Sequence, residues 1–207
     1  MVLRIVITAL ACYFLGNHNG AISVSSMLGD DVRNHGSGNA GLTNFIRNYG
    51  GKRAILVIAI DVIKAVLACL LGRVVFEPAG YPLEGMVLGG LCVMLGHDFP
   101  VLQGFRGGKG ILSGWFIAFT IDWRIGVIIA LVFFVTYFLT HYVSLGSVLA
   151  SATFSVCFVV FHHDNLPVML GGILMGLLAT FMHRGNIRRL LKGEERKTNL
   201  FHSESKK

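Results

Sequence analysis

The grouping of its apolar residues is what most constrains this chain. They fall in long runs at approximately 4–28, 54–71, 85–96, 111–121, 125–140, 145–161 and 166–182. A continuous apolar run leaves no face for water, so such segments cannot coat a soluble domain. The period-two alternation of an outer-membrane barrel is absent. Charged residues make up only 14% of the chain and hydrophobic ones 54%, against about a quarter charged in soluble domains. A soluble enzyme is thereby excluded. The reading is an all-α membrane protein, one domain over 1–207, with about seven transmembrane or half-depth helices. Segments 85–96 and 111–121 fall short of the about 20 residues that a full span needs. They are either crossings or half-depth helices packed against protein, where irregular backbone is tolerated. Should neither cross, five spans remain.

Charge sets the orientation. Fourteen of the 18 Lys and Arg residues lie in the 29–53 and 97–110 loops and in the tail from Arg184 onward. The positive-inside rule places those segments in the cytoplasm, with the N-terminus outside and the C-terminus cytoplasmic. Arg4 and Arg73 run against the pattern. The basic tail within 183–207 follows directly on an apolar run, so anionic lipid headgroups, not nucleic acid, are its expected partner. The first run continues past Ala9–Ala11 and is read as an uncleaved span. Cys12, Cys69, Cys92 and Cys157 stand alone in apolar stretches without metal-ligand spacing, so neither a disulfide nor a metal is expected.

Three polar segments carry the candidate chemistry. In the first inside loop, Gly36, Gly38 and Gly41 free the backbone for turns, while Ser37, Asn39, Thr43 and Asn44 add small donors and Arg47 a counter-charge. That combination suits an oxyanion such as phosphate. The second loop runs from Gly96 and His97 through Gly104 to Gly107-Gly108-Lys109-Gly110. It suggests another phosphate cradle with a point charge. It is not a Walker A loop, which would need Gly at Gln103 and Ser or Thr at Gly110. In the third, His183 meets the cytoplasm and Asn186 lies one helical turn further on the same face. The Arg188, Arg189 and Lys192 run reads as a headgroup-binding face.

Asp61 and Lys64, one turn apart at membrane depth, are either functional or a self-neutralising pair. Asn17-His18-Asn19 interrupts the first run and should face protein or a water-filled cavity. His162-His163-Asp164 reads as a solvated outer loop, with metal binding as the alternative.

Together, GSGNAGLTNFIR at 36–47, GHDFPVLQGFRGGKG at 96–110 and HRGNIRRLLKGEERK at 183–197 resemble the bacterial acyl-phosphate:glycerol-3-phosphate acyltransferase family. DVIK at 61–64 and YVSLGS at 142–147 are similar to further family features. The resemblance implies a multi-pass enzyme of the bacterial inner membrane with a cytoplasmic site and no cofactor. It would transfer an acyl chain from acyl phosphate to the 1-hydroxyl of glycerol 3-phosphate, linked to an acyl-phosphate-forming enzyme. By position, Ser37, Arg47, His183 and Asn186 would be required for activity. The stretch from His97 and Gly104 to Gly110, with Ser144, would join the first loop in binding substrate. Glu195 would be structural. The sequence departs from the family at Gly16–Gly20, where many members have Gly-Ser-Ile-Pro, and at Leu42, where Ala is commoner.

A phosphate leaving group already activates the donor, so no covalent intermediate is required, and positioning with charge stabilisation would suffice. The alternative class is a membrane transporter of a small phosphorylated metabolite or lipid, which would also want phosphate cradles and broken helices. Against it, the polar motifs gather on one face and no internal repeat is visible. None of the eight His has Asp five positions later, so the His-x-x-x-x-Asp acyltransferases are not supported.

Overall fold

The computed structural model describes residues 1–198. Among them the chain forms ten α-helices and no strand. These are α1 (Val2–Gly16), α2 (Gly20–Met27), α3 (Leu42–Tyr49), α4 (Gly51–Phe76), α5 (Pro82–Asp98), α6 (Ile111–Ile121), α7 (Trp123–Thr140), α8 (Val143–Phe161), α9 (Leu166–Met182) and α10 (Arg184–Leu191). By length and composition four of them, α4, α5, α7 and α8, suffice to cross a membrane. The bent pairs α1–α2 and α9–α10 raise that to six, and α6 is a shorter apolar helix. A multi-pass membrane protein follows.

Two of the expected boundaries shift. The 4–28 run is two helices bent by 42°, because Asn17 ends α1 and the Asn19 side chain caps α2 by accepting the Ile22 N–H at 3.1 Å. Asn17 and Asn19 are buried, as the sequence suggested, while His18 is exposed. Segment 85–96 extends to α5 and, with the turn after it, is long enough to cross. The sequence underestimates it because Glu84, His97 and Asp98 interrupt the apolar run. All three face protein: Glu84 accepts from Asn165, and His97 and Asp98 are buried.

Helix α5 is the axis of the bundle, packed by α1, α4, α6 and α9. Two-thirds of its apolar window (67%) is buried inside protein, against 22% for α7, which turns Leu131, Phe138 and Leu139 outward. Lipid tails offer helices no hydrophobic gain on association, so α5 is held by close approach of small residues. A Cβ on Gly72 would fall on the Gly85 carbonyl, and one on Gly85 would fall on that of Gly72. The four cysteines are all free and buried in apolar surroundings. A smaller core of Ile22, Val32, Phe45 and Val57 lies beneath the first loop and ties α3 to the bundle.

Candidate active site

The first loop is shaped by its own side chains. Gly36 and Gly38 have φ of 58° and 69°, a left-handed backbone that a side chain would strain. Asn44, from the first turn of α3, reaches back into the loop. Its Nδ2 donates to the carbonyls of Val32, His35 and Asn39 at 3.0–3.1 Å, and its Oδ1 accepts the Ser37 N–H at 3.0 Å. Asn44, expected as a substrate donor, is thus occupied in building the loop. The N-terminus of α3 has no side-chain cap, and its first residues Leu42 and Thr43 line a cavity. Helix N-terminal N–H groups suit an anion.

The second loop leaves α5 and folds back on it. Gly107 N–H donates to the Asp98 carbonyl at 3.2 Å and Gly108 N–H to that of His97 at 3.1 Å. Gly110, at φ 67°, opens α6. The two loops are stitched together by Arg33, which pairs with Asp31 at 2.8 Å and donates to the Gln103 carbonyl at 2.8 Å.

The third element meets both. Lys109 Nζ donates to Asn186 Oδ1. Asn186 Nδ2 donates to Glu195 Oε1 at 2.9 Å, and Arg189 Nε donates to Glu195 Oε2 at 2.7 Å. Glu195 is therefore the support beneath Asn186. His183 Nδ1 stands 2.8 Å from the Ala179 carbonyl, which can only accept. That assigns the proton of the neutral ring to Nδ1 and leaves Nε2 as an acceptor. The strap beyond α10 closes the ring of contacts: Thr198 N–H donates to the His141 carbonyl at 3.0 Å, and Arg47 donates to the Thr198 hydroxyl.

These elements enclose a cavity of about 720 Å³. Its polar end is lined by Gly36, Ser37, Asn39, Thr43, Asn44, Arg47, His97, Lys109, Gly110, Ser144, His183, Asn186 and Glu195. The structure thus brings most of the sequence-predicted residues together. The Ser144 hydroxyl is buried there and makes no hydrogen bond among the described residues. Gly38, Gly107 and Gly108 do not line the cavity; they shape the loops behind it. Gly104 is exposed, at φ 65°, in the turn after α5. His97 lines the wall but also lies against Lys64, with Nδ1 2.8 Å from its Nζ.

The sequence missed three parts. Arg189, assigned to the headgroup face, turns into the cavity wall because α10 bends by 56° from α9 at His183. Arg196, within the third motif but given no role there, and Thr198, just beyond it, reach the wall through the strap. From the polar end the cavity continues as an apolar arm between α6, α7, α8 and α9, lined by Trp115, Phe116, Ile129, Phe133, Phe134, Ala150, Phe154 and Met175. Their only sequence signal was apolarity, which lipid-facing residues share.

Among the described lining residues the cations Arg47, Lys109, Arg189 and Arg196 outnumber the carboxylates Glu195 and Asp61, and Asp61 is already paired with Lys64. Lys109 is pulled down to about 8 by burial and by the repulsion of Arg189 and Arg47, partly offset by Glu195. Arg47 is lowered by burial and by Arg196, with Glu195 opposing. Cations that destabilise one another in this way await an anion. Among the described residues no three His, Cys, Asp or Glu side chains converge to hold a metal ion.

Comparison with known proteins agrees with this geometry. The sequence profile of the family described as glycerol-3-phosphate acyltransferase matches residues 6–193. A glycerol-3-phosphate acyltransferase of Thermoanaerobacter sp. (strain X514) is 38% identical over 193 residues, covering 93% of this chain and 94% of its own. A crystal structure of PlsY, an integral membrane glycerol 3-phosphate acyltransferase in its glycerol 3-phosphate form, superimposes with a TM-score of 0.83. It is 29% identical and covers 96% of this chain and 99% of its own. The lysophosphatidic acid form of PlsY gives 0.81 at 29% identity, over 94% and 95%. With a profile matching nearly its whole length and relatives of like size, the chain belongs to the glycerol-3-phosphate acyltransferase family of the PlsY type and is a membrane acyltransferase.

Proposed function

We propose that this enzyme transfers an acyl chain from acyl phosphate to the 1-hydroxyl of glycerol 3-phosphate, releasing 1-acyl-glycerol 3-phosphate and inorganic phosphate. One observation carries the reading: a single cavity joins a mouth containing Arg47, Lys109, Arg189 and Arg196 to a long apolar arm. Acyl phosphate has those two parts, a phosphate and a hydrocarbon chain, and glycerol 3-phosphate brings a second phosphate to the same mouth. The solved PlsY relatives, held in glycerol 3-phosphate and lysophosphatidic acid forms, support the acceptor and the product.

In the reaction the glycerol 1-oxygen attacks the acyl carbonyl carbon. The bond from that carbon to the phosphate oxygen breaks, and phosphate leaves with the electron pair. Arg47 and Lys109 hold the phosphates, and Ser37 with the loop N–H groups steadies the developing oxyanion. His183 takes the hydroxyl proton on Nε2, while Asn186, fixed by Glu195, orients the acceptor against Lys109. Ser144 adds a hydroxyl at the junction of mouth and arm. Because the donor is already activated, no acyl-enzyme forms on Ser37.

The site end of the bundle faces the cytoplasm of a bacterial inner membrane, where the loops at 29–53 and 97–110 and the basic tail all lie. The opposite end, with Met1 beside Tyr81, Glu84 and Pro167, is external. The α1–α2 pair, α4, α5, α6, α7, α8 and the α9–α10 pair then make seven passes.

The test is a transfer assay on protein purified in lipid, with labelled glycerol 3-phosphate and palmitoyl phosphate, palmitoyl-CoA or palmitoyl-acyl carrier protein in parallel. Label in lysophosphatidate with acyl phosphate alone, lost in Ser37→Ala and Arg47→Ala, is expected. Product from the CoA or carrier-protein thioester would refute the donor, and an acyl group trapped on Ser37 would refute direct transfer.

A further inference from the structure

We propose that the buried polar group at the break of the first membrane segment is a positioning device that holds both phosphate-binding loops in register, with Asn19 and Lys64 as its positioning residues. The proposal rests on the reading of the cavity mouth as a glycerol 3-phosphate site.

Asn19, Asp61, Lys64 and His97 are each less than 5% exposed, and ionisable groups at such depth are costly unless paired. Here they are paired. Lys64 Nζ lies 2.7 Å from Asp61 Oδ1. It also donates to the His18 carbonyl at 2.9 Å and stands 2.8 Å from His97 Nδ1. Asp61 Oδ1 accepts the Gly20 N–H at 3.0 Å. The charge pair on α4 therefore grips the break between α1 and α2 on one side and α5 on the other.

From this centre, polar arms lead to the two loops. Asn19 Nδ2 donates at 3.0 Å to the carbonyl of Ala40, which stands between the cavity-lining Asn39 and Gly41, and it lies 3.5 Å from His97 Nε2. The His97 carbonyl receives the Gly108 N–H, and Gly108 is packed so closely on the imidazole that a Cβ would overlap Nε2. Lys109 is the next residue. Asn17 adds a second hold on the same loop, its Oδ1 accepting the Leu102 N–H at 3.0 Å. Toward the other end α4 and α5 approach through Gly72 and Gly85, and the polar contacts between α1 and α4 there are single ones, Arg4 to the Val75 carbonyl and the Cys12 thiol to that of Ala68. The connected polar cluster stands at the level where the loops dock. Helix association does not require them there; loop placement does.

The test begins with Asn19→Ser, which keeps an oxygen to cap α2 and removes the arm to Ala40 and His97. The double variant Asp61→Asn/Lys64→Met removes both charges together, so that neither is left unpaired. Each is purified in lipid; KM for both substrates, kcat, glycerol 3-phosphate affinity by calorimetry and the thermal midpoint are measured. The expected result is a KM and Kd for glycerol 3-phosphate raised about tenfold or more, since small misplacements of a binding group are costly, with kcat changed less. A purely structural role would lower the midpoint and leave KM and Kd within about twofold of wild type, which overturns the proposal. A rise confined to the acyl-donor KM would also overturn it, because the glycerol 3-phosphate site would then not depend on the group. If the double variant does not fold, Asn19→Ser decides. Wild-type protein that binds glycerol 3-phosphate but transfers no acyl group would refute the reaction, and the calorimetric comparison would still judge the positioning role.

Discussion

Raising the pH from 7 to 9 should strip the proposed glycerol 3-phosphate site of one cation, Lys109. Burial and the neighbouring Arg189 and Arg47 bring the Lys109 ammonium from an ordinary 10.5 to about 8. In the free enzyme about nine-tenths of Lys109 is then charged at pH 7 and about a tenth at pH 9. Because kcat/KM reports the groups of the free enzyme, it should fall about tenfold over that interval. A bound phosphate dianion stabilises the ammonium and raises its pKa, so kcat should begin to fall only at higher pH. Lys109→Met removes a charge-assisted hydrogen bond of roughly 1.5–3 kcal/mol, which converts to roughly ten- to a hundredfold in kcat/KM at neutral pH. The profile of that variant should be flat between pH 7 and 9. Lys109→Arg keeps a charge that does not titrate in this range and should also flatten the profile, at a cost in fit. The assay is initial rate against glycerol 3-phosphate concentration at constant ionic strength and saturating acyl phosphate. A wild-type kcat/KM that does not change between pH 7 and 9, or a Met variant that falls as steeply as wild type, would refute the assignment.

His183→Gln should lower kcat by about a hundredfold or more with little change in KM, the signature of a lost proton acceptor; near-normal turnover would sink that role. Asn44→Ala removes four hydrogen bonds that build the first loop. It should lower kcat/KM at least about tenfold while the helical circular dichroism stays unchanged, and full activity would show that the loop holds its shape without them. Gly85→Leu forces a side chain onto the Gly72 backbone and should cost about 1–3 kcal/mol or more by overpacking. Melting in detergent reads this directly, and an unchanged midpoint would mean that α4 and α5 separate without penalty.

Much of the site was legible because its chemistry is local. Ser37, Asn39, Thr43 and Arg47 fall within twelve consecutive residues, and His183 and Asn186 lie one helical turn apart, so spacing alone grouped them by face. Lys109 stood out as a cation among glycines. The roles within those motifs were less legible. Asn44 reads in sequence like any other small donor, and only its three bonds to loop carbonyls show that it builds the site. Gly104 belongs to the same run as Lys109 but lies exposed in the preceding turn, since proximity along a loop does not fix which residues face a cavity.

Alone, the sequence determined that the chain is a helical membrane protein, which residues gather toward one membrane face, and which family it resembles. Those follow from solvation of apolar runs, the distribution of charge and short-range motifs, all of which are written linearly. Tertiary structure decided the rest. It broke the first segment at Asn17–Asn19, made α5 the buried axis, swung α10 inward so that Arg189 faces the cavity, and turned one set of apolar residues into a cavity arm while leaving others to lipid. Hydropathy is the same for a phenylalanine that lines a groove and one that faces the bilayer, and a charge at membrane depth gains its partners beyond its own helix only when helices distant in sequence pack together. Lys64 of α4 finds its partners at His18 and His97 only when α1 and α5 close around it.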